Sequence, residues 1–194
     1  MQSQPVKKVN IPYALAYFLI PIVLIFLCGW LSVRFFPKGT MAVVLLMGPT
    51  ALSFVWWIFG GKAIFKKNLK AFQASLQQSG FVRNSTFTSG SLVVMVDAEH
   101  GELAMLFLWN PTCPYRVPAS RISKLWVDDG ASGSGFMRGS SRVSFLFTVD
   151  GTKVRVNTFT SNKRWRMDSD YILTGISKAD AMVEVLEAAQ KRSV

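Results

Sequence analysis

Ile11–Gly60, IPYALAYFLIPIVLIFLCGWLSVRFFPKGTMAVVLLMGPTALSFVWWIFG, decides how the rest of this chain reads. Ile11–Val33 and Met41–Gly60 carry no charged residue, and the short turn Arg34–Thr40, with Pro37 and Gly39, separates them. An α-helix rises about 1.5 Å per residue, so roughly twenty apolar residues cross a hydrocarbon core of about 30 Å. Each run is long enough, and the pair predicts a two-helix transmembrane hairpin. Lys7-Lys8 ahead of an apolar run also resembles the start of a secretory signal. A signal's apolar region ends after about 7–15 residues at a small-residue cleavage site. This one continues through Phe26-Leu27-Cys28-Gly29-Trp30, and the bulky Phe26-Leu27 also rule out a lipoprotein cysteine at Cys28. The first run therefore reads as a retained helix.

Pro21 and Pro49 fall near the middle of their runs. They read as local kinks, with Thr50 and Ser53 placed to satisfy carbonyls that Pro49 frees. The runs hold no Asp, Glu, Lys, Arg or His, which argues against an ion or proton pathway. Tyr13, Tyr17, Trp30, Trp56 and Trp57 lie towards the run ends, where amphipathic rings settle at a membrane interface.

The 194-residue chain has a net charge of +11. Residues 1–70 hold eight of the 22 basic residues (Lys7, Lys8, Arg34, Lys38, Lys62, Lys66, Lys67 and Lys70) and none of the 11 acids, leaving 14 against 11 in the remainder. A strongly basic chain raises nucleic acid as a partner. Here the excess flanks the apolar runs, so membrane lipids are the nearer counter-charge and nucleic acid is disfavoured. Six outer lysines against Arg34 and Lys38 in the turn predict both termini in the cytoplasm, in a bacterial inner (cytoplasmic) membrane. On that topology the sequon Asn84-Ser85-Thr86 is incidental. Cys28 and Cys113 lie in different parts of the chain and make no disulfide framework, which fits a reducing compartment.

Gly61–Ser79 reads as an amphipathic juxtamembrane helix, with Phe65, Leu69, Phe72 and Leu76 in one stripe and Lys66, Lys67 and Lys70 beside it. Such a helix lies on an anionic surface or packs its stripe on the following domain. After Phe87 the pattern alternates. Ser91–Asp97, Glu102–Trp109, Ile122–Asp128, Arg142–Val149 and Thr152–Thr158 read as strands. Asp97–Gly101 and Asp150-Gly151 read as hairpin turns. Asn110–Pro118, with three prolines, reads as a loop holding a short strand near Tyr115–Val117. Ser177–Lys191 reads as a helix, with Ser177 and Asp180 as its N-cap pair. The predicted class is α+β: a membrane hairpin over residues 1–60, a juxtamembrane helix over 61–79, and over 80–194 a small antiparallel barrel or bent sheet with a C-terminal helix.

The segments VVMVDAEHGELAMLF, YRVPASRISKLWVDDG and RVSFLFTVDGTKVRV, followed by the terminal helix, run in the order strand, acidic turn, strand, I-x-x-V/L-x-V-x-D/E-x-G, hairpin, helix. In that order, over roughly residues 80–192, the chain resembles the PH-like domains of uncharacterised bacterial membrane proteins. The resemblance implies a binding or scaffolding module without enzymatic activity.

The residues offer little chemistry. His100 among Asp97, Glu99 and Glu102 matches no calcium loop and cannot complete a zinc site, so a solvated hairpin turn is the reading. Gly130–Gly139 is glycine-rich, but Phe136 stands where a phosphate-binding loop needs lysine, and Asp128-Asp129 precede it. A connection between strands is favoured there, with Phe136, Met137 and Arg138 at its tip. Cys113 has no base beside it in any recognisable motif, and no serine stands in G-x-S-x-G. No cofactor, metal or catalytic set is predicted. Asn162–Met167 is the most distinctive polar stretch: Lys163, Arg164 and Arg166 surround Trp165, a combination suited to lipid headgroups, acidic protein segments or single-stranded nucleic acid. Alternatively Trp165 is tucked into the core, with Asp168 and Asp170 offsetting the charge. The expected function is a non-enzymatic integral inner-membrane protein whose cytoplasmic PH-like domain binds a protein partner, forms a homo-oligomer or assembles into a membrane complex. Lys62, Lys66, Lys67, Lys70, Lys163, Arg164, Trp165 and Arg166 are the candidate contacts. The alternative is a sensor of anionic lipid, and a membrane-bound enzyme is the least favoured.

Overall fold

The apolar runs form helices because few of their side chains compete for the backbone ladder. A computed structural model describes residues 5–35, 39–129, 141–163 and 165–193. Helix α1 spans Ile11–Phe35 and α2 spans Thr40–Val55. One π turn, Trp56–Gly60, then leads directly into α3, Gly61–Gln78. Asn10 caps α1: its Oδ1 accepts the Tyr13 N–H at 3.2 Å and its carbonyl accepts the Ala14 N–H at 2.9 Å. Pro12 sits in the first turn, where a missing N–H removes no helical bond. Thr40–Gln78 is one helical stretch of 39 residues, about 58 Å long at the usual rise. Helix α3 is thus the direct continuation of the second apolar helix.

Among the described residues seven strands follow: β1 Ser85–Ser89, β2 Leu92–Asp97, β3 Glu102–Phe107, β4 Asn110–Pro118, β5 Ile122–Asp128, β6 Ser141–Val149 and β7 Thr152–Ser161. They form a four-stranded sheet in the order β1-β2-β3-β4 and a three-stranded sheet in the order β5-β6-β7. β1 pairs antiparallel with β2, and β6 pairs antiparallel with both β5 and β7. Helix α4, Asp170–Arg192, ends the chain. Two long apolar helices, antiparallel sheets and a C-terminal helix make the class α+β.

Three local expectations need correction. The proline-rich loop is a full strand, β4. It lies at the edge of its sheet, the position where Pro111, Pro114 and Pro118 do least damage to a ladder. β1, STFTS, is short and polar and was not foreseen; it too is an edge strand. α4 begins seven residues before Ser177, with Ser169 as its N-cap, so Ser177 and Asp180 are interior helix residues. The Asp150-Gly151 turn has the expected form. Both residues have positive φ (51° and 77°), and Val149 pairs with Thr152 across it.

The chain divides into two compact units. The sheet unit comprises the described parts of residues 1–7, 73–106 and 113–194. Its core is formed by Met95, Leu103, Met105, Leu106, Phe145, Phe147, Ile172 and Leu186, all essentially inaccessible. Each contributes on the order of 1.5–3 kcal/mol through burial. α4 comes close to β6 and β7 at Gly175, where a Cβ would stand 2.8 Å from Phe159 Cβ and 3.3 Å from Val143 Cβ. The register of β6 and β7 shifts there, and the hydroxyl of Thr158 donates to the Gly175 carbonyl at 2.8 Å. The chain start belongs to this unit. Val6 is 2% exposed, Thr152 donates to its carbonyl at 2.8 Å, and the Lys7 N–H donates to Tyr115 Oη at 3.0 Å.

The helical unit comprises the described parts of residues 8–72 together with 107–112, the connection between β3 and β4. Ser32 links its two apolar helices, donating to the Ala42 carbonyl at 3.0 Å. Thr50 and Ser53 donate back to Leu46 and Pro49 at 2.8 and 2.7 Å. The carbonyl that Pro49 deprives of its helical donor is that of Leu45, so Thr50 serves its neighbour.

Candidate functional site

Two groups of residues singled out from the sequence lie in different units. Lys62, Lys66, Lys67 and Lys70 are all exposed on α3, in the helical unit. At 100° per residue they cover an arc of roughly 140°, beside the stripe of Phe65, Leu69 and Phe72. The stripe becomes more buried along the helix: Phe65 and Leu69 are half-buried, Phe72 and Leu76 buried. The lysines begin two residues after the π turn, so the basic strip opens where the apolar helix ends.

Lys163, Trp165 and Arg166 follow β7 in the sheet unit; Arg164 lies outside the described residues. Trp165 is held on both its polar groups. Its backbone N–H donates to Ser141 Oγ at 2.7 Å and its Nε1 donates to Ser161 Oγ at 2.9 Å. The indole packs against Tyr171 of α4, ring centres 4.5 Å apart. Arg166 donates to both carboxylate oxygens of Asp168, at 3.1 and 3.0 Å. Trp165 is therefore half-buried, Arg166 is paired, and Lys163 is exposed.

The acidic turn after β2 is structural. Asp97 is fully buried rather than solvated. Its carboxylate accepts the Val82 N–H at 2.7 Å, the Glu99 N–H at 3.0 Å and the His100 N–H at 2.9 Å, with His100 Nδ1 at 2.8 Å. Burial pushes the carboxyl up, but the N–H groups of His100 and Val82 and the His100 ring outweigh it, leaving Asp97 below the ordinary carboxylate value. The turn thereby ties the segment before β1 to the end of β2. Among the described residues no three His, Cys, Asp or Glu side chains are placed to hold a metal. The glycine-rich stretch Gly130–Gly139, with Phe136, Met137 and Arg138, lies outside the described residues.

An aromatic cluster in the helical unit was only partly legible. Tyr17 is 6% exposed, and its hydroxyl sits in the π turn: it lies 2.8 and 2.9 Å from the Trp56 and Trp57 carbonyls and accepts the Gly61 N–H at 3.1 Å. A π turn leaves backbone groups out of the regular ladder, and this phenol occupies the gap. The Tyr17 ring also lies 5.7 Å from Trp56 and 5.8 Å from Trp109, and Trp109 stacks on Phe18 at 5.7 Å. Trp109 is the residue that the sequence reading left at the end of a strand. The clue was an indole between Leu108 and Asn110-Pro111, at a hairpin tip where polar turn residues are the rule.

Comparison with protein-family models, curated proteins and solved structures finds no match to this chain.

Proposed function

We propose that this chain is a two-span membrane protein whose sheet unit is a PH-like, non-enzymatic module on the cytoplasmic side of a bacterial inner membrane. In this reading the module binds a protein partner or assembles the chain into a larger complex. The observation that carries the membrane part is exposure. Of the most apolar windows of the two long helices only 11% and 6% is buried. Ile20, Val23, Phe26, Leu27, Val33, Met47 and Leu52 are each at least half exposed. A soluble protein rarely leaves so large a continuous apolar surface bare; lipid is the solvent that suits it.

The charge of the flanks supports the orientation: six lysines outside the two apolar runs, against Arg34 and Lys38 between them, favour the cytoplasm for both ends of the hairpin. Seven strands in sheets of four and three, followed by one helix, support the PH-like reading of the unit.

Affinity capture of the full chain in mild detergent tests the partner. A stoichiometric second protein, or a homo-oligomer by light scattering, is expected; repeated recovery of monomer alone overturns the reading. The exposed lysine strip favours a second reading, recognition of anionic lipid. Reconstituted full-length protein would then enrich a fluorescent anionic lipid around itself at low salt. The Lys62/Lys66/Lys67/Lys70→Gln variant would lose that enrichment, and equal enrichment by both proteins excludes it.

A further inference from the structure

We infer that the tip joining β3 and β4, residues 107–112, is a third point of membrane contact, with Trp109 marking the bilayer interface on the side where α1 begins. The inference rests on the two-span reading above. Phe107–Thr112 belongs to the same compact unit as the apolar helices. The Asn10 N–H, at the cap of α1, donates to the Trp109 carbonyl at 2.9 Å. The Trp109 ring nevertheless reaches Tyr17 and Phe18, with centres 5.8 and 5.7 Å away. Those residues lie about 9–10 Å along the axis from Ile11. The backbone of the tip is thus level with the helix start, and its indole points along the helix towards the middle of the span.

Tyr17 is joined at the same level to the end of the second span, through the Trp56 ring and the Trp56 and Trp57 carbonyls. Tyr17, Trp56 and Trp109 therefore form one belt of amphipathic rings, the side chains that settle at headgroup depth. The belt redefines the hydrocarbon length. Residues 18–35 and 40–56 extend about 27 and 25 Å, close to the thickness of a bilayer core. Counting from Ile11 would give α1 about 37 Å and leave Asn10, Lys8 and the capped first turn to mark the boundary unaided. With the plane at the belt, Ile11, Ala14 and Leu15 lie in the headgroup layer beside the tip.

Spin labels on the full-length protein in phosphatidylcholine vesicles test this, in a Cys28→Ser/Cys113→Ser background. Labels are placed singly at Leu108→Cys and Thr112→Cys on the tip, at Ala51→Cys in mid-span and at Ser120→Cys on an exposed turn of the sheet unit. The expected result is a loss of accessibility to a water-soluble nickel chelate at Leu108 relative to Ser120, with oxygen accessibility between those of Ser120 and Ala51. Thr112, the exposed flank, reports if the Leu108 variant fails to fold, and shows the same direction of shift. Tip labels as water-accessible as Ser120, with Ala51 shielded, overturn the inference and leave the two-span reading intact. A water-accessible Ala51 overturns both.

Discussion

Gly175 shows how one missing side chain sets the position of a helix. A Cβ there meets Phe159 Cβ at 2.8 Å, and both atoms are fixed to their backbones. Gly175→Ala would gain about 1 kcal/mol in helix propensity, yet overpacking of a closed interface costs roughly 1–3 kcal/mol. Net destabilisation is expected, read as a lower midpoint in thermal denaturation followed by far-ultraviolet circular dichroism; an unchanged or raised midpoint would show that α4 moves freely. Asp97 carries a second prediction. Its folded pKa is lowered, so its contribution is fully present above the unfolded value near 3.9 and is lost as pH falls through the folded one. Acid unfolding of the wild type should therefore include a component below about pH 4 that Asp97→Asn lacks. The variant should also be less stable at neutral pH by about 1–3 kcal/mol, because a side-chain amide cannot accept from Val82, Glu99 and His100 together.

The π turn makes α2 and α3 one element with a discontinuity that Tyr17 fills. Tyr17→Phe keeps the ring contacts and removes the hydroxyl that serves Trp56, Trp57 and Gly61. Hydrogen bonds between membrane helices are each worth about 0.6 kcal/mol, at most near 1.7. The expected loss is thus on the order of 1–2 kcal/mol, measured by unfolding in mixed micelles, and a neutral effect would show that the gap heals without the phenol. The same logic applies to the start of the chain. Val6 is buried and its carbonyl is bonded, so Val6→Ala should lower the stability of the sheet unit by about 1–2 kcal/mol. A fragment beginning at Gln73 lacks this residue altogether and should melt below the intact chain.

For the whole molecule, the prediction concerns sides. In the two-span reading proposed above, residue 40 would lie on the outer side of the bilayer and residue 120 on the cytoplasmic side. A membrane-impermeant maleimide applied to inverted vesicles should modify Ser120→Cys and spare Thr40→Cys, with the reverse in intact spheroplasts, both in a background without native cysteines. Modification of both from one side contradicts two spans.

The sequence by itself determined what depends on local pattern. Charge-free runs of membrane length, the short apolar runs of β2, β3, β6 and β7, the Asp150-Gly151 turn and the α+β order all follow from composition and backbone propensity; that β2, β3 and most of β6 are buried on both faces rather than alternating does not. It could not determine what depends on neighbours distant in the chain. β4 became a strand because an edge position tolerates its prolines, and α4 reached back to Asp170 because Gly175 lets it close on β6 and β7. Asp97 became a buried hub because Val82 and His100 converge on it. The opening hairpin illustrates both sides of the division. Composition made Ile11–Gly60 apolar, but only folding brings Trp109 from another part of the chain beside Tyr17 and Phe18.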